Sequence, residues 1–244
     1  MENKNPILTL SHVSKEFPGL RVLDDISLTV RHGEFFVMVG PSGSGKSTIL
    51  RIMSGFERDF QGSMLYASGF STRDISFVFQ HFALFPWLTV AQNIEFGLLP
   101  RHKSVAKRKL RVMEEVRRFR LEQFAHNFPR ELSGGQRQRA GMARALATDP
   151  KIIFMDEPFS ELDSFTAEEL RKEFLEIWRH TDITIIMVTH LIEEALELAD
   201  RIAVLTALPG RVEAVLENPL PRPRKKRAPE FFRLEDQLYR LVRP

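Results

Sequence analysis

Phe35-Phe36-Val37-Met38-Val39-Gly40-Pro41-Ser42-Gly43-Ser44-Gly45-Lys46-Ser47 is the stretch that decides the fold of this chain. Its first five residues form a continuous apolar run, the pattern of a central parallel strand buried on both faces. The remaining eight are a glycine-rich pattern whose backbone N–H groups can wrap a phosphate. The glycines permit conformations closed to other residues and let the backbone approach phosphate oxygens closely. Residues 47–54, with Ile49, Leu50, Ile52 and Met53, predict a helix whose N-terminus presents roughly half a positive charge to the same anion. Lys46 is the side chain expected to reach the terminal phosphates, and the Ser47 hydroxyl is an oxygen ligand for Mg²⁺. Gly40, Pro41, Ser42, Gly43, Ser44, Gly45 and Thr48 complete the expected cradle. A glycine-rich turn can also join strand to helix without binding anything, but the full pattern in its strand–loop–helix context favours the phosphate loop.

Working outward, short apolar runs alternate with helical patterns. Ile7, Leu8, Leu10 and Val13, then Val22, Ile26, Leu28 and Val30, alternate as half-exposed strands do. Strand patterns recur at 75–79, 151–155, 183–188 and 201–205, with helical patterns over 166–178 and 192–199. This alternation implies a parallel α/β sheet. From Thr89 to about Ala147 the pattern turns helical, with Val112, Met113, Val116 and Phe119 on one face, which reads as an inserted helical subdomain. Pro219, Pro221 and Pro223 interrupt helix and sheet and predict an extended segment. A short amphipathic helix is expected from Pro229 to about Leu241.

Two further stretches carry chemistry. Ile152-Ile153-Phe154-Met155-Asp156-Glu157 is an apolar strand ending in two carboxylates. Asp156 is placed to hold Mg²⁺ directly or through water. Glu157 can orient and deprotonate an attacking water, although two acids at a strand end are often simply solvated. Leu132-Ser133-Gly134-Gly135-Gln136 leads into a helix over 136–147 and makes a second anion-binding helix N-terminus.

The 244 residues, 43% of them hydrophobic, suffice for one domain with a sizeable core. No apolar run approaches the roughly 20 residues needed to span a bilayer. Met1-Glu2-Asn3-Lys4-Asn5-Pro6 lacks the basic-then-apolar order of a secretory leader. The absence of cysteine excludes disulfides and thiolate metal sites. A net charge of +3 is too small to argue for nucleic-acid binding. The basic residues cluster, at Arg101 to Arg120 and at Arg222-Pro223-Arg224-Lys225-Lys226-Arg227. Each cluster reads first as a solvated surface and second as a surface near anionic lipid. The many Ser, His and Asp residues lack the elbow motif of a hydrolase triad.

These motifs, in this order, resemble the nucleotide-binding subunit of an ATP-binding cassette (ABC) transporter. The resemblance runs over almost the whole chain. It implies an α/β P-loop NTPase: a RecA-like parallel sheet core with an antiparallel β subdomain and an inserted α-helical subdomain. It places the nucleotide-binding domain at 1–218, the helical subdomain at about 88–147, and a Pro/Arg-rich extension with a short helix at 219–244. It implies ATP and Mg²⁺ as cofactors and ATP hydrolysis as the activity. In the family, Glu157 is the general base, Gln80 contacts Mg²⁺ and the attacking water, and His190 touches the γ-phosphate. Ser133, Gly134, Gly135 and Gln136 would cap ATP held on the loop of a second chain. Asp163, in Ser160-Glu161-Leu162-Asp163, matches the loop that communicates between the two chains. Phe17 stands where an aromatic stacks on adenine, although a Phe between two strands is as often core.

Pro86-Trp87-Leu88-Thr89-Val90, Pro209-Gly210-Arg211-Val212 and Leu220-Pro221-Arg222-Pro223-Arg224 are similar to importers of the nitrate/sulfonate/taurine group. His81-Phe82-Ala83-Leu84-Phe85 is closer to sulfate, polyamine or osmoprotectant importers, which usually carry a further C-terminal domain. An exporter or lipid transporter shares every catalytic motif, and a soluble ABC ATPase of ribosome or DNA is a further reading. The implied partners are transmembrane permease subunits, a second cassette (identical or a paralogue) and, indirectly, an extracytoplasmic solute-binding protein. No nucleic acid is expected. The implied location is the cytoplasmic face of the cell membrane, with Phe82, Leu84, Phe85, Pro86 and Trp87 as a partly exposed patch for the permease.

Overall fold

The structure, a computed structural model, describes residues 5–100 and 104–242. The reading of the first four residues as no leader, and the start of the basic run at Arg101, lie outside the described residues. The chain forms two compact units, one from residues 1–71 and 181–244, the other from 72–180.

The first unit opens with β1 (Pro6–Phe17), β2 (Leu20–Arg31), β3 (Phe35–Val39), α1 (Lys46–Met53) and β4 (Gln61–Tyr66). Strands β2, β1 and β4 pair antiparallel in that order. The expected strict alternation along β1 is broken, because register shifts between Pro6 and Leu8 and between Leu10 and Val13 turn Ile7 and Leu8 both inward. Such bulges insert a residue and re-aim its neighbours. By contrast β3 has all five residues buried, as its uninterrupted apolar run dictates.

The chain then builds the second unit: β5 (Ile75–Val78), α2 (Val90–Leu98), α3 (Val105–Arg118), α4 (Gly134–Ala147), β6 (Ile152–Asp156) and α5 (Ser164–Arg179). β5 and β6 pair parallel. The helical pattern expected from Thr89 to Ala147 is thus three helices joined by irregular chain with two 3₁₀ turns. Arg120 takes a left-handed φ of 54° just past α3, and Pro129 opens the second 3₁₀ turn. Either residue stops a continuing helix. Val112, Val116 and Phe119 are buried, but Met113 is not. Residues 112, 116 and 119 share one face at i, i+4 and i+7, whereas Met113 is rotated about 100° away from that line. The basic run here is not simply solvated. Arg108 pairs with Glu95 at 3.0 Å, and Arg111 donates to the carbonyls of Leu146 and Ala147 and to Asp149. Arg111 thereby supplies a cation to the C-terminus of α4, where the last carbonyls lack helical partners.

Returning to the first unit, the chain adds β7 (Thr184–Thr189), α6 (Ile192–Leu198), β8 (Arg201–Leu205), β9 (Val212–Glu217) and α7 (Pro229–Val242). β3 lies between β7 and β8, parallel to both, and β9 closes the edge antiparallel to β8. The residues of β7 are all buried and those of β8 nearly so, while β9 alternates, as an edge strand with one wet face must. α7 packs on α6 and β8 through Phe231 and Leu238, which are buried one above the other at i and i+7.

The second basic cluster departs from the solvated tail expected of it. From Pro219 to Ala228 exposure alternates strictly: Pro219, Pro221, Pro223, Lys225 and Arg227 face solvent, while Leu220, Arg222, Arg224, Lys226 and Ala228 turn inward. The chain nevertheless bends at Arg222 and Pro223 and turns at Lys226 and Arg227, where Ala228 N–H donates to Lys225 O at 2.9 Å. The sequence predicts an extended segment, but neither this bend and turn nor that three of its five cations, Arg222, Arg224 and Lys226, point at the protein.

Candidate functional site

In the first unit, β3 ends at Val39 and α1 begins at Lys46, so the phosphate-loop sequence spans the turn between them. Gly45 is the N-cap of α1 with φ 80° and has no side-chain cap. A side chain there would be strained, because the left-handed region is costly for residues with a Cβ. The result is a helix start whose first-turn N–H groups meet no capping side chain. Lys46 is 5% exposed and folds across its own loop, donating to Gly40 O at 2.9 Å and Pro41 O at 2.8 Å. Ser44 is buried; Ser47 and Thr48 are half-buried in the first turn. The loop therefore combines a helix N-terminus, a cation and a hydroxyl within one short segment.

A support for this loop comes from far along the chain. Gly210 donates to Val22 O at 2.9 Å and accepts from Asp24 N–H at 3.0 Å. A Cβ on Gly210 would lie 2.1 Å from the carbonyl oxygen of Ser44, so only glycine lets this backbone pass beneath the phosphate loop. Arg211, its neighbour, pairs with Asp24. Sequence reading saw Pro209-Gly210-Arg211 only as a family likeness, since its role depends on a contact across more than 160 residues.

Two more candidates belong to this unit. His190 is exposed directly after β7. Its turn is pinned by Thr189, whose hydroxyl bonds Glu194 Oε2 at 2.7 Å and accepts from Leu191 N–H at 3.1 Å. Phe17 ends β1 with 41% of its surface exposed and Lys15 Nζ 4.8 Å from its ring centroid. That exposure excludes the core alternative, and the Lys15 ammonium lies over one face of the ring.

In the second unit, Asp156 is the half-buried last residue of β6. Glu157 follows in a left-handed conformation, φ 42°, an arrangement that persists only when its surroundings impose it. They do so here: Ser160 Oγ donates to Glu157 O at 2.9 Å, and the fully buried Gln138 donates to Pro158 O at 2.5 Å. Gln138 lies on α4, so the helix that Ser133 opens also props the turn bearing Glu157.

Ser133 caps α4 in a reciprocal box. Its Oγ accepts from Gln136 N–H at 3.3 Å, and Gln136 Oε1 accepts from Ser133 N–H at 2.8 Å. Leu162 packs over Gly134 and Thr166 over Gly135. Asp163 caps the neighbouring helix α5 through Thr166 N–H at 3.0 Å. The Thr166 hydrogen bonds hold the Asp163 carboxyl below its ordinary value. The structure thus brings Ser133, Gly134, Gly135, Gln136 and Asp163 together at two adjacent helix N-termini.

Gln80 is half-buried just past β5. His81 Nδ1 lies 2.8 Å from Glu161 Oε1, which ties the loop after Gln80 to the Ser160–Asp163 turn. Phe82 and Ala83 then take left-handed φ values of 58° and 46°. Arg144 donates to Ala83 O at 2.7 Å and Phe82 O at 3.4 Å, and Arg137 lies 5.2 Å from the Phe82 ring centroid. Burial pushes the Arg144 guanidinium below its ordinary value. Both arginines sit on α4, so they join the loop after Gln80 to the helix Ser133 caps. No sequence signal separates these two from other helical arginines. Beyond them, the fully buried Asn93 bonds Phe85 N–H and O and the carbonyls of Leu88 and Thr89. This holds out Trp87, 69% exposed, with Pro86, Phe128 and Arg130 around a shallow groove.

Among the described residues no three His, Cys, Asp or Glu side chains form a metal cage, and no helix is long and apolar enough to cross a membrane. Ser47 in the first unit, and Asp156 and Gln80 in the second, each offer an oxygen donor, the ligand type that hard cations prefer.

The geometry agrees with comparisons to known proteins. Residues 23–160 match the ABC transporter family. The aliphatic sulfonates import ATP-binding protein SsuB of Bacillus cereus is 41% identical, over 90% of this chain and 88% of that protein. The sulfate/thiosulfate import ATP-binding protein CysA of Xanthomonas campestris is 44% identical, over 84% of this chain and 62% of that protein. A dimeric ATP-binding cassette in a post-hydrolysis state, bound to ADP and Pi, superposes with a TM-score of 0.76 at 33% identity, covering 87% of this chain and 99% of that one. With its phosphate loop, its paired carboxylates and its capped Ser-Gly-Gly-Gln helix, the chain belongs to the ABC transporter family and is an ATP-hydrolysing nucleotide-binding subunit.

Proposed function

We propose that this chain drives an importer, coupling ATP binding and hydrolysis in a cassette dimer to uptake of a small solute across the cytoplasmic membrane. The solute we infer is of the sulfonate class, with nitrate and taurine as related candidates. The observation carrying this reading is the 41% identity to an aliphatic sulfonates import protein over nearly the full length of both chains. Sulfate or thiosulfate is the second reading, favoured by the likeness to CysA, of which this chain spans less than two thirds. The chain would work peripherally at the cytoplasmic face. Its partners would be permease subunits, docked at the patch around Trp87, and, through them, a solute-binding protein.

In the proposed chemistry, backbone N–H groups of Gly40–Ser47 and the Lys46 ammonium hold the β- and γ-phosphates, and Phe17 stacks on adenine. Ser47 and Asp156, with Gln80, would hold Mg²⁺, which when bound neutralises charge on the phosphate oxygens. Glu157 accepts a proton from water as its oxygen bonds to the γ-phosphorus. The bond to the β-phosphate oxygen breaks, leaving ADP and inorganic phosphate. Gln80 orients that water, and His190 stabilises the γ-phosphoryl oxygens. Ser133 to Gln136 cap the nucleotide of the opposite chain, and Asp163 faces the dimer contact. ATP then favours the closed dimer because only that state completes its contacts.

Glu157→Gln tests this assignment. Turnover should fall by about 10²–10⁴-fold, the range for a lost general base, while ATP still binds and the chain elutes as a dimer. Undiminished turnover removes Glu157 from the role. Captured from native membranes with ATP, the same variant should bring a multi-span permease; ribosomal or DNA-repair proteins instead would overturn the importer reading.

A further inference from the structure

The inward-facing cations of the segment after β9 converge on one element, the helix that follows His190. α6 has only seven residues, too few to hold itself by helical hydrogen bonding alone. Its last carbonyls lack intrahelical partners, as at any helix end. Here they are met from outside. Arg224 Nη1 donates to Leu196 O at 3.0 Å and Glu197 O at 3.1 Å, and Arg222 Nη2 donates to Leu198 O at 2.5 Å. Asn218 adds a bond to Leu196 O at 3.0 Å. Lys226 reaches Glu193 at 2.6 Å and Glu197 at 3.3 Å along the side of the same helix. Cations at a helix C-terminus also complement its dipole.

The segment is anchored as well as anchoring. Arg222 Nη1 donates to Asp200 Oδ1 at 2.5 Å, and Asp200 Oδ2 accepts from Phe35 N–H, at the start of β3, at 2.9 Å. At the other end of α6, Thr189 and Glu194 close the turn that carries His190. The helix is therefore clamped at both ends: to β7 beside His190, and through the arginines to the base of the strand that leads into the phosphate loop.

We propose that Arg222, Arg224 and Lys226 are positioning residues for ATP hydrolysis, acting as a strap that sets α6 and, through it, the placement of His190. The proposal rests on the assignment of His190 to the γ-phosphate. The alternating exposure from Pro219 to Ala228 turns Arg222, Arg224 and Lys226 to one side, where each reaches α6.

A double-variant cycle on the full-length chain tests it. Arg224→Gln, Arg222→Lys and Lys226→Ala are each made alone and together with His190→Ala, and read by kcat, KM for ATP and affinity for a fluorescent ATP analogue. The strap variants should lower kcat by about tenfold, a coupling typical of networked residues, and leave KM and analogue affinity within about twofold. In the His190→Ala background the same changes should move kcat by less than about twofold. If Arg224→Gln does not fold, Lys226→Ala and Arg222→Lys carry the cycle, being the milder changes. Equal losses in both backgrounds, or no loss in either, would overturn the strap. His190→Ala with undiminished kcat would instead overturn the assignment of His190, and the proposal with it.

Discussion

Two helices of this protein begin with the same ingredients, serine and glycine ahead of a buried face, yet they start in opposite ways. At α1 the N-cap is Gly45 in the left-handed region, with no capping side chain, and a lysine folds over the loop. At α4 the N-cap is Ser133 in extended conformation, and Ser133 with Gln136 satisfies two end groups internally. A helix start without a side-chain cap, beside a cation, is ready for a multiply charged anion. A start closed by its own box is stable without one, and its hydroxyl meets an external ligand only by sharing or leaving the cap. The comparison teaches that serine and glycine ahead of a helix make two different starts: one leaves its first-turn N–H groups without a side-chain cap, the other satisfies two of its end groups internally.

The comparison can be broken from the α1 side first. Lys46→Ala should lower ATP turnover by about 10²–10³-fold, the cost of losing one preorganised charge-stabilising donor, and weaken nucleotide binding; steady-state hydrolysis and analogue titration read both. Gly210→Ala attacks the same loop from beneath. Its Cβ would meet the Ser44 carbonyl at 2.1 Å, so one backbone must move. Stability should fall by roughly 1–3 kcal/mol, as in overpacked cores, with ATP affinity falling too, measured by denaturant melts and titration.

Changes at α4 should be smaller. Ser133→Ala removes the cap acceptor and should cost about 1 kcal/mol in thermal or urea melts, while binding to the isolated chain stays intact. Equal loss of binding in Ser133→Ala and Lys46→Ala would erase the distinction between the two helix starts. The smallest effect sharpens it at α5. Asp163 titrates below its ordinary value because Thr166 N–H bonds its charged form. Its contribution is therefore present above the unfolded value near pH 4 and is lost as pH falls through the lower folded value. Asp163→Asn keeps an acceptor at the cap without the charge. The variant should melt below wild type at pH 7, with the gap closing on acidification toward pH 3.

Legibility followed distance along the chain. Phe35–Val39 and Gly40–Ser47 declare strand, loop and helix because neighbouring residues alone set those dihedrals and that burial pattern. The Ser133–Gln136 box spans four residues, and its helix is equally plain. Met113 was misplaced because one residue of helical phase decides exposure, and flanking apolar residues blur the phase. The basic segment after Asn218 looked solvated because charge implies solvent until a partner is known. Its partners are helix-end carbonyls more than 20 residues earlier, invisible in composition.

By itself, the amino-acid order determined the strand–loop–helix frames, the helix caps and the chemical groups available at each. These are local choices of backbone conformation, governed by residues within a few positions of one another. Tertiary structure alone decided what holds those groups in place. Gly210 lies under Ser44, Gln138 under the turn of Glu157, Arg144 on the carbonyls after Gln80, and Arg222 and Arg224 on the end of α6. Each is a contact between residues remote in sequence, selected by packing and by the need of buried carbonyls for donors, and neither leaves a periodic mark in the chain.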